Sequence, residues 1–114
     1  MQTRQILYLI EIQTFLDSID PKASEKIIYN IHKVLISNFL DSELFKKLDD
    51  DIWEFRTLYK GMHYRLLAFW CPFTHSLIIA TNGFIKKTKK TPLNELKKAK
   101  RLREQHLSTF EKNE

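Results

Sequence analysis

Three runs of aromatic and branched side chains between residues 52 and 81 constrain the fold more than any other feature. The runs span residues 52–59, 62–70 and 76–81. Lys60-Gly61 is typical of a tight turn, and a second turn signal runs from Pro72 to His75. Aromatic and branched residues favour strands. The segment is therefore predicted to form a three-stranded meander.

Two helices are predicted before this meander and one after it. The first two helices are expected over residues 10–19 and 21 to about 39, and they meet at Asp20-Pro21. Asp can accept hydrogen bonds from the free backbone N–H groups at the start of a helix, and the N–H group that Pro lacks has no partner at that position. A first strand is expected within residues 3–9, and an acidic connector spans residues 41–51. Thr91-Pro92 repeats the helix-start signal, and the apolar side of the final helix should carry Leu93, Leu96, Ala99, Leu102 and Phe110.

Composition narrows the class of protein. With 114 residues the chain is predicted to be one domain, residues 1–114. No apolar run approaches the roughly 18 residues of a membrane span, and no signal peptide is recognisable, so we expect a cytoplasmic protein without membrane contact. Cys71 is the only cysteine, and the histidines lack metal-ligand spacing. We therefore expect no metal site and no cofactor.

Charge is unevenly distributed along the chain. The net charge is +5, yet the segment from Asn82 to Arg103 alone contains nine basic residues and one acidic residue, Glu95. A basic end of this kind suits a polyanionic partner, because binding releases the counterions of the phosphates. A solvated, lysine-rich helix is the alternative explanation.

The first turn fixes a register for the strands. A tight turn at Lys60-Gly61 pairs Tyr59 with Met62 and places Arg56 opposite Arg65. One face is then almost entirely apolar and should lie under the helices; it carries Trp53, Phe55, Thr57, Tyr59, Met62, Tyr64, Leu66 and Trp70. The other face is mixed. A symmetric second turn would add Ala80 opposite Arg65 and Asn82 opposite His63.

Opposed arginines repel each other, so something should compensate their charge. Glu54, on the same face, could form an ordinary ion pair with Arg56. An anion gripped by both guanidinium groups is the functional alternative, since their planar forks suit phosphate. Four lysines just after the third strand would add positive charge to that surface: Lys86, Lys87, Lys89 and Lys90. This convergence favours a phosphate site.

Several motifs together resemble the RelE/HigB superfamily of toxins, in particular its phage-derived, HigB-type branch. They are Ile52-Trp53-Glu54-Phe55-Arg56, Tyr64-Arg65-Leu66-Leu67 and the basic run from Asn82 to Pro92. The resemblance covers about residues 5–105. It implies an α+β fold in which an N-terminal strand and a helical hairpin pack on one face of a small, mostly antiparallel sheet, followed by a basic C-terminal helix.

The resemblance also implies an activity. Members of this superfamily are toxins of type II toxin–antitoxin pairs that cut mRNA in the ribosomal A site without a metal, by attack of a ribose 2′-hydroxyl on the adjacent phosphate. Arg65 falls on the arginine that stabilises the phosphate, and Arg56, Lys86 and Lys87 fall on other basic positions. The implied partners are a helix-turn-helix antitoxin, which could also mediate oligomerisation, and the ribosome with its mRNA.

One departure leaves the general base open. Many relatives have His where this chain has Asn82, which cannot take a proton. His63 or a lysine of the basic cluster could replace it. Further RNA contacts are predicted for Asn82, Lys89, Lys90, Lys97, Lys98 and Arg101. The alternatives are a non-catalytic member that binds RNA or protein through the same surface, and a gyrase-targeting toxin of the same superfamily.

Overall fold

The computed structural model describes residues 3–112, and side chains among them as far as residue 109. The sheet order is β1-β5-β4-β3-β2, and only the β1–β5 pair is parallel. The predicted α+β fold is confirmed. Its elements are β1 (Gln5–Tyr8), α1 (Ile10–Ser18), α2 (Pro21–Ile36), β2 (Phe45–Lys47), β3 (Trp53–Tyr59), β4 (Met62–Trp70), β5 (Leu77–Lys86) and α3 (Leu93–Lys112).

Helix α2 begins as its sequence predicts. The Asp20 carboxylate accepts a hydrogen bond of 2.9 Å from the backbone N–H of Lys22, and Pro21 occupies the first turn. The helix ends at Ile36, earlier than the predicted residue 39. Its buried stripe packs with Phe55, Tyr64 and Leu66 in the larger core cluster, which confirms the predicted apolar face; the stripe consists of Ala23, Ile27, Ile31, Val34 and Leu35.

The β3–β4 hairpin has the predicted register. Tyr59 pairs with Met62, and Arg56 lies opposite Arg65. Lys60 and Gly61 have φ values of 49° and 78°, so both central residues adopt the left-handed conformation that a two-residue hairpin turn requires. The two arginines lie on the face of the sheet opposite α2.

The predicted register of the next strand is wrong. Strand β5 continues to Lys86, and Arg65 lies opposite Phe84 while His63 lies opposite Lys86. Two features cause the difference. The connection occupies all of residues 71–76, and the pairing is irregular at Leu67/Ala68, where Thr81 is an extra, unpaired residue of β5. Ala80 consequently belongs to the core beneath α1 and α2 rather than to the mixed face.

The mixed face is partly covered by α3. Ala99 is fully buried there against a second core cluster that contains Ile52, Leu67, Phe69, Ile79 and Phe84. Leu102 is also buried, whereas Leu93 is 64% exposed, so its predicted packing is wrong: it lies in the first turn, ahead of the contact with the sheet. The side chain of Phe110 lies outside the described residues. Nearer the β3–β4 turn, the same face carries Arg56, Arg65 and His63.

The acidic connector contains a short strand that its sequence does not reveal. Strand β2 pairs with the beginning of β3, and buried Phe45 stacks on Phe55 with ring centroids 4.3 Å apart. Carboxylates that follow it hold α3: Asp49 lies 2.8 Å from Lys100, and Asp51 lies 3.6 Å from Arg103. Part of the basic charge of α3 is therefore already paired. In residues 3–112 no helix is long and apolar enough to cross a membrane.

Gly83 provides a test of this packing. A Cβ at this position would lie 2.6 Å from Leu66 Cδ2 and closer still to the ring of Phe15. Overpacking of a filled core costs about 1–3 kcal/mol, and we expect Gly83→Ala to lower the free energy of unfolding by that amount. Urea denaturation measures it. Adding Phe15→Leu should reduce the penalty of Gly83→Ala in a double-mutant cycle. An unchanged urea midpoint for the single variant would contradict the close approach.

Candidate functional site

A buried carboxylate lies between the two opposed arginines. Glu54 is 2% exposed, and its Oε1 lies 3.4 Å from Arg65 Nε and 3.8 Å from Arg56 Nε. Its other oxygen, Oε2, accepts a hydrogen bond of 3.0 Å from the hydroxyl of Thr91. The ion pair expected between Glu54 and Arg56 is thus present, and it extends to Arg65. One carboxylate holds both guanidinium groups and the segment that leads into α3.

Positive charge remains in excess at this cluster. Both Nε atoms are buried and lack a hydrogen-bond partner among the described residues, although each is near Glu54. Arg65 Nη1 donates to the carbonyl of Tyr64 at 3.2 Å. Burial lowers the pKa of Arg65 and Arg56 lowers it further, while Glu54 opposes the shift; the guanidinium group still stays protonated at neutral pH. An anion in the adjoining grooves would approach Arg65, a guanidinium group that is itself buried.

Two grooves join at this cluster. The first, of about 440 Å³, is called here the β5 groove and is lined by His63, Arg65, Lys86, Lys87, Thr88 and Lys89. The second, of about 380 Å³, is called the β2 groove, and its lining includes Lys46, Glu54, Arg56, Lys86, Lys90 and Thr91. The structure therefore brings together the predicted arginine pair, His63, Lys86 at the end of β5 and the lysines that follow it.

Lys86 differs electrostatically from an exposed lysine. Burial lowers the pKa of its ammonium group, and the nearby charges of Arg65, Arg56 and Lys46 lower it further, against the opposing effect of Glu54. A lowered pKa increases the fraction of neutral amine, which can accept a proton. Lys86 also lies directly opposite His63 on β4. The groove thus combines anion-binding groups with groups able to transfer protons.

Asn82 lies away from both grooves. It is 1% exposed, and its Nδ2 donates to the carbonyl oxygen and to the carboxylate of Glu95 at 3.2 and 3.1 Å. Such burial leaves no surface for the RNA contact predicted for it, and its amide instead fastens α3 to β5. Lys97, Lys98 and Arg101 lie on α3 and line neither groove.

Sequence reasoning missed two residues of this site. Lys46 belongs to the unpredicted strand β2, where it pairs with Glu54. The sequence indicates Thr91 only as a helix-start signal. Its hydroxyl, next to the lysine run, could also have suggested a hydrogen bond within the site. In the part of the chain that the structure describes, no three His, Cys, Asp or Glu side chains form a group that could hold a metal ion.

Glu54 can be tested through stability. Glu54→Gln leaves two neighbouring guanidinium groups without a buried counter-charge, so we expect the free energy of unfolding to fall by about 3 kcal/mol. Sulfate should stabilise Glu54→Gln more than it stabilises the wild type, relative to chloride at equal ionic strength, because an anion bound in the adjoining grooves can replace part of the lost counter-charge. Urea denaturation in the two salts is the measurement. The matched control, Glu43→Gln at an exposed carboxylate, should stay within about 0.5 kcal/mol. Equal effects of the two substitutions would contradict the assignment.

Comparisons with known proteins agree with this architecture. The family model described as "Phage derived protein Gp49-like (DUF891)" matches residues 14–104. A structure of a mutant of the E. coli toxin RelE in the free state superposes with a TM-score of 0.57 at 12% identity, covering 72% of this chain and 82% of that one. This likeness shows a common fold. The search of curated proteins gave no match. Since the family model runs from α1 into α3 and includes both grooves, the chain belongs to the Gp49-like family of phage-derived proteins.

Proposed function

We propose that this protein is the toxin of a type II toxin–antitoxin pair, of the HigB-type branch, and that it cleaves mRNA at the ribosome without a metal. One observation carries the proposal: Arg65, buried and incompletely hydrogen-bonded, lies beside Arg56 and Lys86 at the floor of open basic grooves. Membership of the Gp49-like family and the fold shared with the toxin RelE also support it.

The proposed reaction needs only groups that this chain supplies. The ribose 2′-oxygen attacks the adjacent phosphorus and forms a new P–O bond, while the bond from phosphorus to the leaving 5′-oxygen breaks. The 2′-hydroxyl proton passes to a base, and the 5′-oxygen receives a proton from an acid. The products are a 2′,3′-cyclic phosphate and a 5′-hydroxyl. Charge develops on the phosphorane oxygens, where fixed cations stabilise the transition state most.

Each side chain of the cluster has a role in this scheme. Arg65 and Arg56 stabilise the phosphorane, with Glu54 holding them in place. Lys86 accepts the 2′-proton, because its lowered pKa makes the neutral amine accessible. Lys87, exposed at the rim of the β5 groove, donates to the leaving oxygen. His63 lines the same groove and is the alternative base.

Other basic residues would guide the RNA rather than react with it. Lys89 and Lys90 line the grooves and would contact neighbouring phosphates. Lys97, Lys98 and Arg101 on α3 would attract the ribosome at longer range. A free basic groove also explains a need for an antitoxin. We propose a helix-turn-helix protein encoded next to this chain, with an acidic or amphipathic segment that covers the grooves.

Arg65 distinguishes catalysis from binding. We expect Arg65→Ala to abolish translation-dependent mRNA cleavage and leave ribosome binding largely intact, because its stabilisation is realised mainly in the transition state. Arg65→Lys should recover little, since it keeps the charge and loses the planar fork. Primer extension maps cleavage, and co-sedimentation reports binding.

Substitutions on α3 and a growth assay complete this test. Lys97→Ala/Lys98→Ala should weaken ribosome binding and flatten its salt dependence while cleavage by bound protein persists.

Expression of the wild type should slow growth, Arg65→Ala should not, and co-expression of the adjacent gene should restore growth. Cleavage by Arg65→Ala at the wild-type rate would remove this residue from the mechanism. Ribosome binding without any cleavage by the wild type would favour the non-catalytic alternative.

The pH dependence of cleavage separates the two candidate bases. If Lys86 accepts the proton, the rate rises with pH as its ammonium deprotonates, and the lowered pKa brings this rise closer to neutrality. His63→Ala should retain the rise. Lys86→Arg should lose it together with most activity, because arginine stays protonated. Single-turnover cleavage on programmed ribosomes across the pH range that they tolerate measures this. A rise that disappears in His63→Ala and persists in Lys86→Arg would assign the base to His63.

A further inference from the structure

A third groove runs from the arginine cluster to helix α2, and neither the fold comparison nor the proposed chemistry assigns it a role. It has a volume of about 500 Å³ and is called here the α2 groove. It shares Arg65 and His63 with the β5 groove and Arg56 with the β2 groove. On the helix side it is lined by Lys26, Asn30 and Lys33. The three grooves therefore adjoin one another at the arginine cluster, and the α2 groove extends from there past the open edge of β3.

A buried hydrogen bond fixes the helix over this groove. Asn30 Nδ2 donates to Thr57 Oγ1 on β3 at 3.1 Å, and both residues are buried. Lys26 and Lys33 lie four residues before and three residues after Asn30, so they occupy the same stripe of the helix, one turn on either side. The backbone positions from which these two lysines extend are thus set by the fold.

The ammonium groups of the two lysines lie near aromatic rings. Lys26 Nζ lies 6.0 Å from the ring centre of Tyr59, and Lys33 Nζ lies 4.9 Å from that of Tyr29, which is 63% exposed. No ion pair found among residues 3–112 includes Lys26 or Lys33. Glu43 is the one carboxylate in the groove lining, against Lys26, Lys33, Arg56 and Arg65. The groove keeps an excess of positive charge next to an exposed aromatic face.

We propose that the α2 groove is a subsite for single-stranded RNA, in which Lys26 and Lys33 bind backbone phosphates next to the scissile one and Tyr29 stacks on a base. Single-stranded nucleic acids are recognised by this combination of a basic groove with aromatic faces, which is independent of sequence. The inference rests on the proposed function, because it extends the path of the same substrate. An acidic protein segment would match the charge but would not require the exposed ring.

The direct test is RNA binding as a function of salt. The probe is a fluorescent oligouridylate of about 12 nucleotides, methylated at its 2′-oxygens so that it cannot be cut. Two phosphate contacts contribute about 1.4 to the slope of log affinity against log salt, and at 0.1 M salt this corresponds to about 25-fold in affinity. We expect Lys26→Ala/Lys33→Ala to lose this part of the affinity and of the slope. Lys26→Arg/Lys33→Arg should keep both, because the charges remain. Tyr29→Ala should weaken binding without changing the slope.

Matched charge removal is the control. Lys22→Ala/Lys47→Ala removes two exposed lysines that line none of the three grooves, and it should leave the salt slope unchanged. All variants should unfold at the wild-type urea concentration, since none alters a buried side chain. If Lys22→Ala/Lys47→Ala loses as much RNA affinity as Lys26→Ala/Lys33→Ala, the subsite is overturned. If Lys26→Ala/Lys33→Ala still binds the RNA but no longer binds the product of the neighbouring gene, the RNA subsite is overturned and the groove binds a protein instead.

Cleavage measurements keep this inference separate from the proposed function. If the wild type cleaves mRNA and Lys26→Ala/Lys33→Ala cleaves it with an unchanged KM, the subsite is wrong and the function stands. If the probe shows the predicted loss but the wild type does not cleave, the RNA subsite stands and the endonuclease is wrong. A raised KM with a nearly unchanged kcat is the result expected of a subsite that binds substrate away from the reacting atoms.

Discussion

The repulsion between two arginines on neighbouring strands is the constraint around which this structure is arranged. The hairpin register places Arg56 directly opposite Arg65. Without a compensating charge, their repulsion would lower the free energy of unfolding by about 0.2–1 kcal/mol. Glu54, buried on the same face, lies close to both guanidinium groups and supplies the compensating charge. Thr91 completes the arrangement and joins it to the start of α3. The same contacts that relieve the repulsion therefore also close one side of the groove.

Local signals in the sequence were sufficient for much of the fold. Lys60-Gly61 is typical of a tight turn, and a tight turn at this point determines every pair in β3 and β4. Asp20-Pro21 determines where α2 begins. Strand β2 could not be predicted, because its three residues are stabilised by pairing and by the stacking of Phe45, and the surrounding acidic run hides them. The extent of β5 was also hidden, since Asn82-Gly83 is typical of a turn, whereas Gly83 is needed here for close packing.

The site was partly predictable for a related reason. Residues whose positions follow from the hairpin, such as Arg56 and Arg65, were placed on one face from alternation alone. Residues positioned by long-range contacts were not. Asn82 is predicted to contact RNA from the mixed face opposite His63, yet its amide group donates to Glu95 of α3. Lys46 and Thr91 reach the cluster from elements whose packing no local pattern encodes.

The extra residue at Thr81 has a consequence for how this strand can vary. Ala80 faces α2, and if Thr81 were paired normally, unbroken alternation would make Asn82, Phe84 and Lys86 face the same way. The bulge inverts the phase of the alternation, which turns Lys86 toward the arginines and Asn82 toward α3. Because Thr81 has no partner on β4, a strand shortened by this one residue would alternate without a break and keep Asn82, Phe84 and Lys86 on their present faces. The bulge therefore lets the strand hold one residue more than regular alternation allows, without moving the side chains that line the grooves.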